Sequence, residues 1–460
     1  AGTELPEPSP SIASPSSSSD KPASQFSDTN LPYGFLADDM RSFELLRTGT
    51  LEDRASAADS LRSSIPVSSD HSFLIDIWNA AKDLVDPGQP ARARIAAWNL
   101  LTQIILVSHP GPGRLAFLTT FHSPTHPDDF QLQISAVACL THGGRRLTEV
   151  EYISLLPILV EWMQHAYAPV PPTPRRPGSP ERSQHLTARR GTARRKGNLA
   201  QIFDILLDAI SPAFVNSNLA AGLSLADALL KICRTTTSED NLKQSLRLID
   251  ILLTSQIILK FVFENCVVVI YDLYCKSGKH RPVYNRLWRT LSILLKSDHG
   301  PQIVNTLVDF LKQAPIESTN VRYINRGLRS ILSVLQRLVS SDIDKGYPSV
   351  QYALLVDGLS TVATTRSYLP NLAAVLELIN ALFDDGQHNL HPLLLDEDWA
   401  LILDVAWKCG GGTSEDPDPE SPGSLCSNLV TLIKRLDFLV SQDGDFKQRE
   451  TAVEFLTKVN

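Results

Sequence analysis

The sequence predicts an all-α fold, an elongated HEAT/armadillo-like α-solenoid of stacked helix pairs, and three observations predict it. From about Ala37 onward, apolar residues recur at three- and four-residue spacing, the period of one helix face. No run shows the strict two-residue alternation of a half-buried strand, and hairpin turns of the Asn-Gly type are absent. Two helices with their turns occupy about 40–47 residues, the length of a repeat that cannot cover its apolar face alone and must stack on neighbours.

Residues 1–32 are dominated by Ser and Pro and hold little that could be buried, so they read as a disordered leader. They also lack the apolar stretch of a signal peptide. The solenoid is expected over 33–460. Thr50-Leu51-Glu52-Asp53 places a hydroxyl at a helix cap and a carboxylate three residues on. Phe73, Ile77, Ala80, Ala81 and Leu84 mark a helix face. After the break Pro87-Gly88-Gln89-Pro90, the pattern resumes with Ile95, Trp98, Leu101 and Ile105. Further breaks at Pro110-Gly111-Pro112-Gly113, His142-Gly143-Gly144, Ser277-Gly278 and His299-Gly300-Pro301 leave roughly eighteen helices. Ser238-Glu239-Asp240 sets acids where unpaired N–H groups and the helix dipole favour them. The most apolar stretch, Leu246 to Tyr274, carries Asp250, Lys260, Glu264 and Asp272, which a membrane span would have to bury. It reads as two buried core helices.

Two segments interrupt the array. Residues 168–197 carry Arg175, Arg176, Arg182, Arg189, Arg190, Arg194, Arg195 and Lys196 against one acid, Glu181. This insertion is strongly basic in a chain of net charge −7, so the remainder is acidic. It reads as a solvated, disordered loop, with Ser179 (before Pro180) and Thr192 as phosphorylation points that would lower its charge. Its Arg/Lys clusters would give weak contact with an anionic membrane. Nucleic acid is not the expected partner, because the loop contains no aromatic residue on which bases would stack. Residues 410–423 run from Gly410-Gly411-Gly412 through Asp416-Pro417-Asp418-Pro419-Glu420 to Gly423 and read as an acidic linker.

The chain has 460 residues, 43% of them hydrophobic and 20% charged, which excludes a wholly disordered protein. Its six cysteines contain no C-x-x-C pair, which argues against a zinc ribbon and a disulfide scaffold and fits a reducing, cytoplasmic setting. No Gly-x-x-x-x-Gly-Lys-Ser/Thr loop, Gly-x-Gly-x-x-Gly turn or His-Glu-x-x-His pair is present, so no cofactor or metal is expected and no catalytic residue is assigned. His122 and His126 are four apart, but Pro124 and Pro127 place them in a loop. Cys266 and Cys275 read as apolar filler. Trp78, Trp98, Trp162, Trp288, Trp399 and Trp407 all fall in helical patterns and read as packing between helices.

A co-linear series of segments carries a resemblance. Trp78-Asn79-Ala80-Ala81-Lys82-Asp83-Leu84-Val85-Asp86-Pro87 is followed by Pro90-Ala91-Arg92-Ala93-Arg94. Next come Ala138-Cys139-Leu140-Thr141-His142-Gly143-Gly144-Arg145 and Leu159-Val160-Glu161-Trp162-Met163. Then follow Leu229-Leu230-Lys231-Ile232-Cys233-Arg234-Thr235, Ser245 to Asp250, and Leu287-Trp288 ahead of Leu294-Leu295 and His299-Gly300. In order and spacing, this series resembles the N-terminal region of the tuberin family over about residues 70–315. The resemblance implies an α-solenoid scaffold that binds a hamartin-type coiled-coil protein, in a complex that restrains TORC1 signalling through the GTPase Rheb. It implies a cytoplasmic protein recruited to the lysosomal or vacuolar surface. The family's GTPase-activating domain lies at the far C-terminus and has no counterpart in these residues, so the chain is not expected to be an enzyme. The start at Ala1 and the stop at Asn460 inside a helical pattern read as cuts in a longer protein. Partner-binding residues are not assigned. The alternative is a transport receptor or other adaptor of the HEAT/armadillo class, whose acidic body would suit basic cargo.

Overall fold

The computed structural model describes residues 37–66, 69–122, 126–142, 146–167, 197–278, 281–313, 321–340, 352–365, 369–382, 396–411, 422–441 and 449–459. Among these residues there are twenty α-helices and no strand. The excess over the expected number comes from short helices whose two or fewer turns carry too little periodicity to be read. The chain forms two compact units that divide after Ile158.

Unit 1 holds α1 (Ala37–Thr48), α2 (Leu51–Ser64), α3 (His71–Ala81) with a 3-10 turn at Lys82–Val85, α4 (Ala91–Val107), α5 (Pro112–Leu118), α6 (Pro127–His142) and the start of α7 (Glu149–Tyr167). Helices α2, α4 and α6 pack in succession, and α1 packs on α3. The His71 ring of α3 meets Phe117 of α5 edge-on at 5.7 Å. Alanines permit the close approach of α2 and α4, with Ala55, Ala57, Ala58, Ala93, Ala96 and Ala97 all buried. The start of α2 is the expected capping box, in which Thr50 Oγ1 accepts from Asp53 N and Asp53 accepts from Thr50 N. Gly111 precedes α5 at φ +138°, where a side chain would be strained, and Pro112 then opens the helix.

Buried ion pairs join every second helix in this part of the unit, α4 to α6 and α5 to α7. Arg94 Nε of α4 donates to Asp129 Oδ2 of α6 at 3.0 Å. Arg114 of α5 grips Glu151 of α7 with both prongs, Nε to Oε1 at 2.8 Å and Nη2 to Oε2 at 2.6 Å, and donates to the Arg146 carbonyl at 2.9 Å. The two side chains are 0% and 1% exposed. Glu151 also accepts from the backbone of Thr148 and Gly111, at 2.8 and 3.3 Å. Burial pushes its carboxyl upward, but Arg114 and these two amides outweigh burial and hold it below its ordinary value.

Unit 2 continues with α8 (197–209), α9 (Pro212–Ser217), α10 (Leu219–Thr235), α11 (Glu239–Leu252), α12 (Gln256–Lys276), α13 (Tyr284–Leu295), α14 (Gly300–Gln313) and α15 (Val321–Ser340). Then come α16 (Tyr352–Thr365), α17 (Leu369–Ala381), α18 (Asp396–Gly411), α19 (Pro422–Ser441) and α20 (Arg449–Val459). Neighbours in sequence pack as pairs: α10 with α11, α12 with α13, α14 with α15, α16 with α17, α18 with α19. Every second helix also packs, α10 on α12, α11 on α13, α14 through α16 and α18 to α20, and α15 through α17 to α19. This recurrence is the two-layered stacking of a helical-repeat solenoid. Ser238 caps α11 as expected, accepting from Asn241 N.

Asparagines tie the layer that includes α15, α17 and α19. Asn371 Nδ2 donates to Asn325 Oδ1 at 3.1 Å, Asn380 Nδ2 of α17 donates to the Asn428 carbonyl of α19 at 2.9 Å, and Asn428 Nδ2 donates back to the Ala373 carbonyl of α17 at 3.3 Å. Helix α16 approaches α14 at Gly358, where an added Cβ would sit 3.2 Å from Leu311 Cβ. The leader at 1–32 lies outside the described residues. Of the insertion at 168–197, only Gly197 is described, and it opens α8. Of the linker at 410–423, Gly410 and Gly411 close α18, Pro422 and Gly423 open α19, and the rest lies outside.

Candidate docking surface

The sequence places α12 in the core, and one face of it is not. Ile258, Leu259, Val262, Phe263, Cys266, Val267, Val269 and Ile270 are buried. Ile257, Phe261 and Val268 are instead 50%, 68% and 65% exposed. A helix apolar around most of its circumference reads from sequence as buried all round, because the stripe that would orient it is hidden by apolar residues on the other side. The signal for a second face was therefore the excess of apolar residues itself.

The exposed face has a definite spacing. Ile257, Phe261, Glu264, Val268, Tyr271 and Cys275 follow one another at intervals of four, three, four, three and four. That alternation is the seam of a coiled-coil heptad. Tyr271 and Cys275 are half-buried, and Glu264 is exposed and interrupts the apolar line with one negative charge. Lys260, Asn265, Asp272 and Lys276 flank it, with Lys276 Nζ 2.6 Å from Asp272 Oδ2. At 1.5 Å per residue the seam's exposed part, Ile257 to Val268, runs for about 17 Å, and Tyr271 and Cys275 continue the spacing toward Ser330 of α15, with which Cys275 bonds.

Contacts beneath the seam fix α12. Near its start, Gly222 of α10 leaves room for Ile258, whose Cδ1 would lie 2.6 Å from an added Cβ. At its end, the Tyr274 hydroxyl shares a 2.6 Å hydrogen bond with Tyr284 of α13, and the two rings stack at 4.7 Å. Phe263 meets the His299 ring at 5.6 Å. Burial pushes the Cys233 and Cys266 thiols up to about 12, so both act as apolar filler.

The other sequence-marked residues fall differently. Trp78, Trp98, Trp162 and Trp288 are buried as expected. Trp407 is a correction: it lies on the outer side of α18 and is 44% exposed. His122 and His126 sit in the connection before α6, where His126 faces the Pro87 carbonyl and the His122 ring lies against Trp98. Among the described residues, no group of three or more His, Cys, Asp or Glu could hold a metal. No described helix is long and apolar enough to cross a membrane. The basic-loop candidates Arg175, Arg176, Ser179, Arg189, Arg190, Thr192, Arg194, Arg195 and Lys196 all lie outside the described residues.

Paired helices stacked in two layers, with an apolar seam left open on one of them, define a helical-repeat protein. Residues 51–460 match the family described as Domain of unknown function (DUF3384). The solved structure of the TSC2 N-terminus is similar at 30% identity and a TM-score of 0.67, with 92% of this chain and 99% of that one covered. The chain thus belongs to the DUF3384 family and corresponds to the N-terminal region of tuberin, TSC2. Kap121p in its complex with Pho4p covers 91% of this chain and 41% of its own at 12% identity, with a TM-score of 0.38, too low to bear on the assignment. Among curated proteins none matches.

Proposed function

We propose that the chain is a non-enzymatic scaffold that docks a hamartin-type coiled coil on the exposed face of α12, and so builds a complex that restrains TORC1 through Rheb. The observation that carries this reading is the heptad spacing of Ile257, Phe261, Val268, Tyr271 and Cys275 on a helix whose opposite face is anchored in the core. An amphipathic helix laid along that seam would remove its apolar side chains from water, at about 25 cal/mol for each Å² buried. Glu264 asks for Lys or Arg at the facing core position of the partner, which would fix the partner's register. In this reading the complex works in the cytoplasm and at the lysosomal or vacuolar surface, with the basic insertion supplying weak attraction to anionic lipid.

The test is co-elution of the purified chain with the coiled-coil region of hamartin. The reading predicts a stable complex that resists high salt, because apolar burial is not screened as surface charge is. Failure to co-elute at micromolar concentrations contradicts it.

A further inference from the structure

Arginines from three helices of unit 2 gather over one turn of α13. Asn285 and Arg289 are four apart on that helix, so their side chains leave it about 5–6 Å from one another. Arg337 of α15 donates to Asn285 Oδ1 at 2.7 Å, and its guanidinium lies over the rings of Tyr284 and Trp288, 4.9 and 5.0 Å from their centroids. Arg286 Nη2 and Arg289 Nε stand 2.7 and 3.6 Å from Asp250 Oδ2 on α11, while Asp250 Oδ1 accepts from Thr290 at 2.6 Å. Arg247, one turn before Asp250, bonds Gln244 rather than a carboxylate.

Arg286 and Arg289 thus share one carboxylate, while Arg247 and Arg337 bond side-chain amides instead, in a chain whose net charge is −7. Neither α13 nor α15 contains an Asp or Glu. The arrangement is also fixed in advance. Arg337 is pinned by two aromatic faces and an amide, and Arg286 by Asp250, while Arg289 is 68% exposed. Arg286 Nε is buried with no hydrogen-bond partner. Rigid, forked guanidinium groups in excess of carboxylate suit a phosphate dianion, which they bind through paired, charge-assisted hydrogen bonds.

The surroundings select among carriers of phosphate. Among the described residues, none of the large exposed apolar side chains lies on α11, α13 or the part of α15 from Asn325 onward, so the face around Arg337 lacks the apolar anchor of a membrane-lying surface. Tyr284 and Trp288 are buried beneath Arg337 and offer no platform for bases. We infer that the arginine cluster over α13 binds a phosphorylated serine or threonine on a peptide segment of a partner protein, with Arg289 and Arg337 gripping the phosphate and Arg247 at its rim.

The experiment measures fluorescence anisotropy of a labelled Ser/Gly-rich peptide carrying two phosphoserines, beside its unphosphorylated parent, against the whole chain. A second arm offers vesicles of phosphatidylcholine with a phosphatidylinositol phosphate. The variants are Arg247→Glu with Arg289→Glu, both exposed and checked for unchanged melting, and Arg337→Lys, which keeps the charge and loses the fork. The phosphorylated peptide should bind at least about tenfold more tightly than its parent and weaken as salt rises, and both variants should lose about tenfold. Equal binding of the two peptides, or undiminished binding by the charge-reversed variant, overturns the inference. Capture of the vesicles without the phosphopeptide also overturns it, by assigning the face to a membrane.

Discussion

Glu151 shows how much one side chain can hold together. It accepts both prongs of Arg114, closes a capping box with Thr148 at the start of α7, and receives the Gly111 amide, while almost none of it meets water. Glu151→Gln would leave Arg114 buried without its counter-charge, which costs about 3–5 kcal/mol, and urea unfolding should read that loss. The pH dependence has a definite sign. The folded carboxyl titrates below its ordinary 4.5, so its contribution is complete above that value and drains away as pH falls through the folded value. The Gln variant should show a flatter acid limb, and an equally steep one contradicts the assignment. The Thr148-x-x-Glu151 spacing was open to sequence reading in the same way as Thr50 and Ser238. Its partner was not, because Arg114 lies 37 residues away and only the fold brings the two together.

At the scale of the element, helices were legible wherever one stripe of apolar residues faced one core, and less so where packing came from two sides. Helix α12 is the clearest case, since its sequence told that it was helical but not that Phe261 and Val268 would face outward. Short helices such as α5 and α9 were also below what periodicity reveals. The α14–α16 crossing rests on a residue whose role no pattern announces. Gly358 is buried, and an added Cβ at 3.2 Å from Leu311 Cβ is tighter than ordinary contact. Gly358→Val should force the two helices apart and destabilise the chain by about 1–3 kcal/mol, whereas Gly358→Ala, which adds the Cβ alone, should cost less. A Gly358→Val protein that melts with the parent would show that α14 yields freely.

At the scale of the whole molecule, the helical-repeat character and the family were legible because the order of many helices survives where single residues do not. The exposed apolar face of α12 was not legible, since exposure is a property of packing. The basic insertion is argued from charge alone. Exposed ion pairs contribute about 0–1 kcal/mol and are screened by salt, so replacing residues 170–196 with a short Gly/Ser linker, sparing Gly197 of α8, should leave the melting temperature nearly unchanged. A marked drop would make the segment part of the packed array.

The central claim is that the outer seam of α12 docks the coiled coil, and Phe261→Asp with Val268→Asp tests it most directly. Both side chains face solvent, so the variant should melt within about 0.5 kcal/mol of the parent. Size-exclusion chromatography with light scattering then compares parent and variant in the presence of the hamartin coiled coil. The parent should elute as a complex and the variant, still folded, as the free chain. A variant that forms the complex as readily as the parent would contradict the claim.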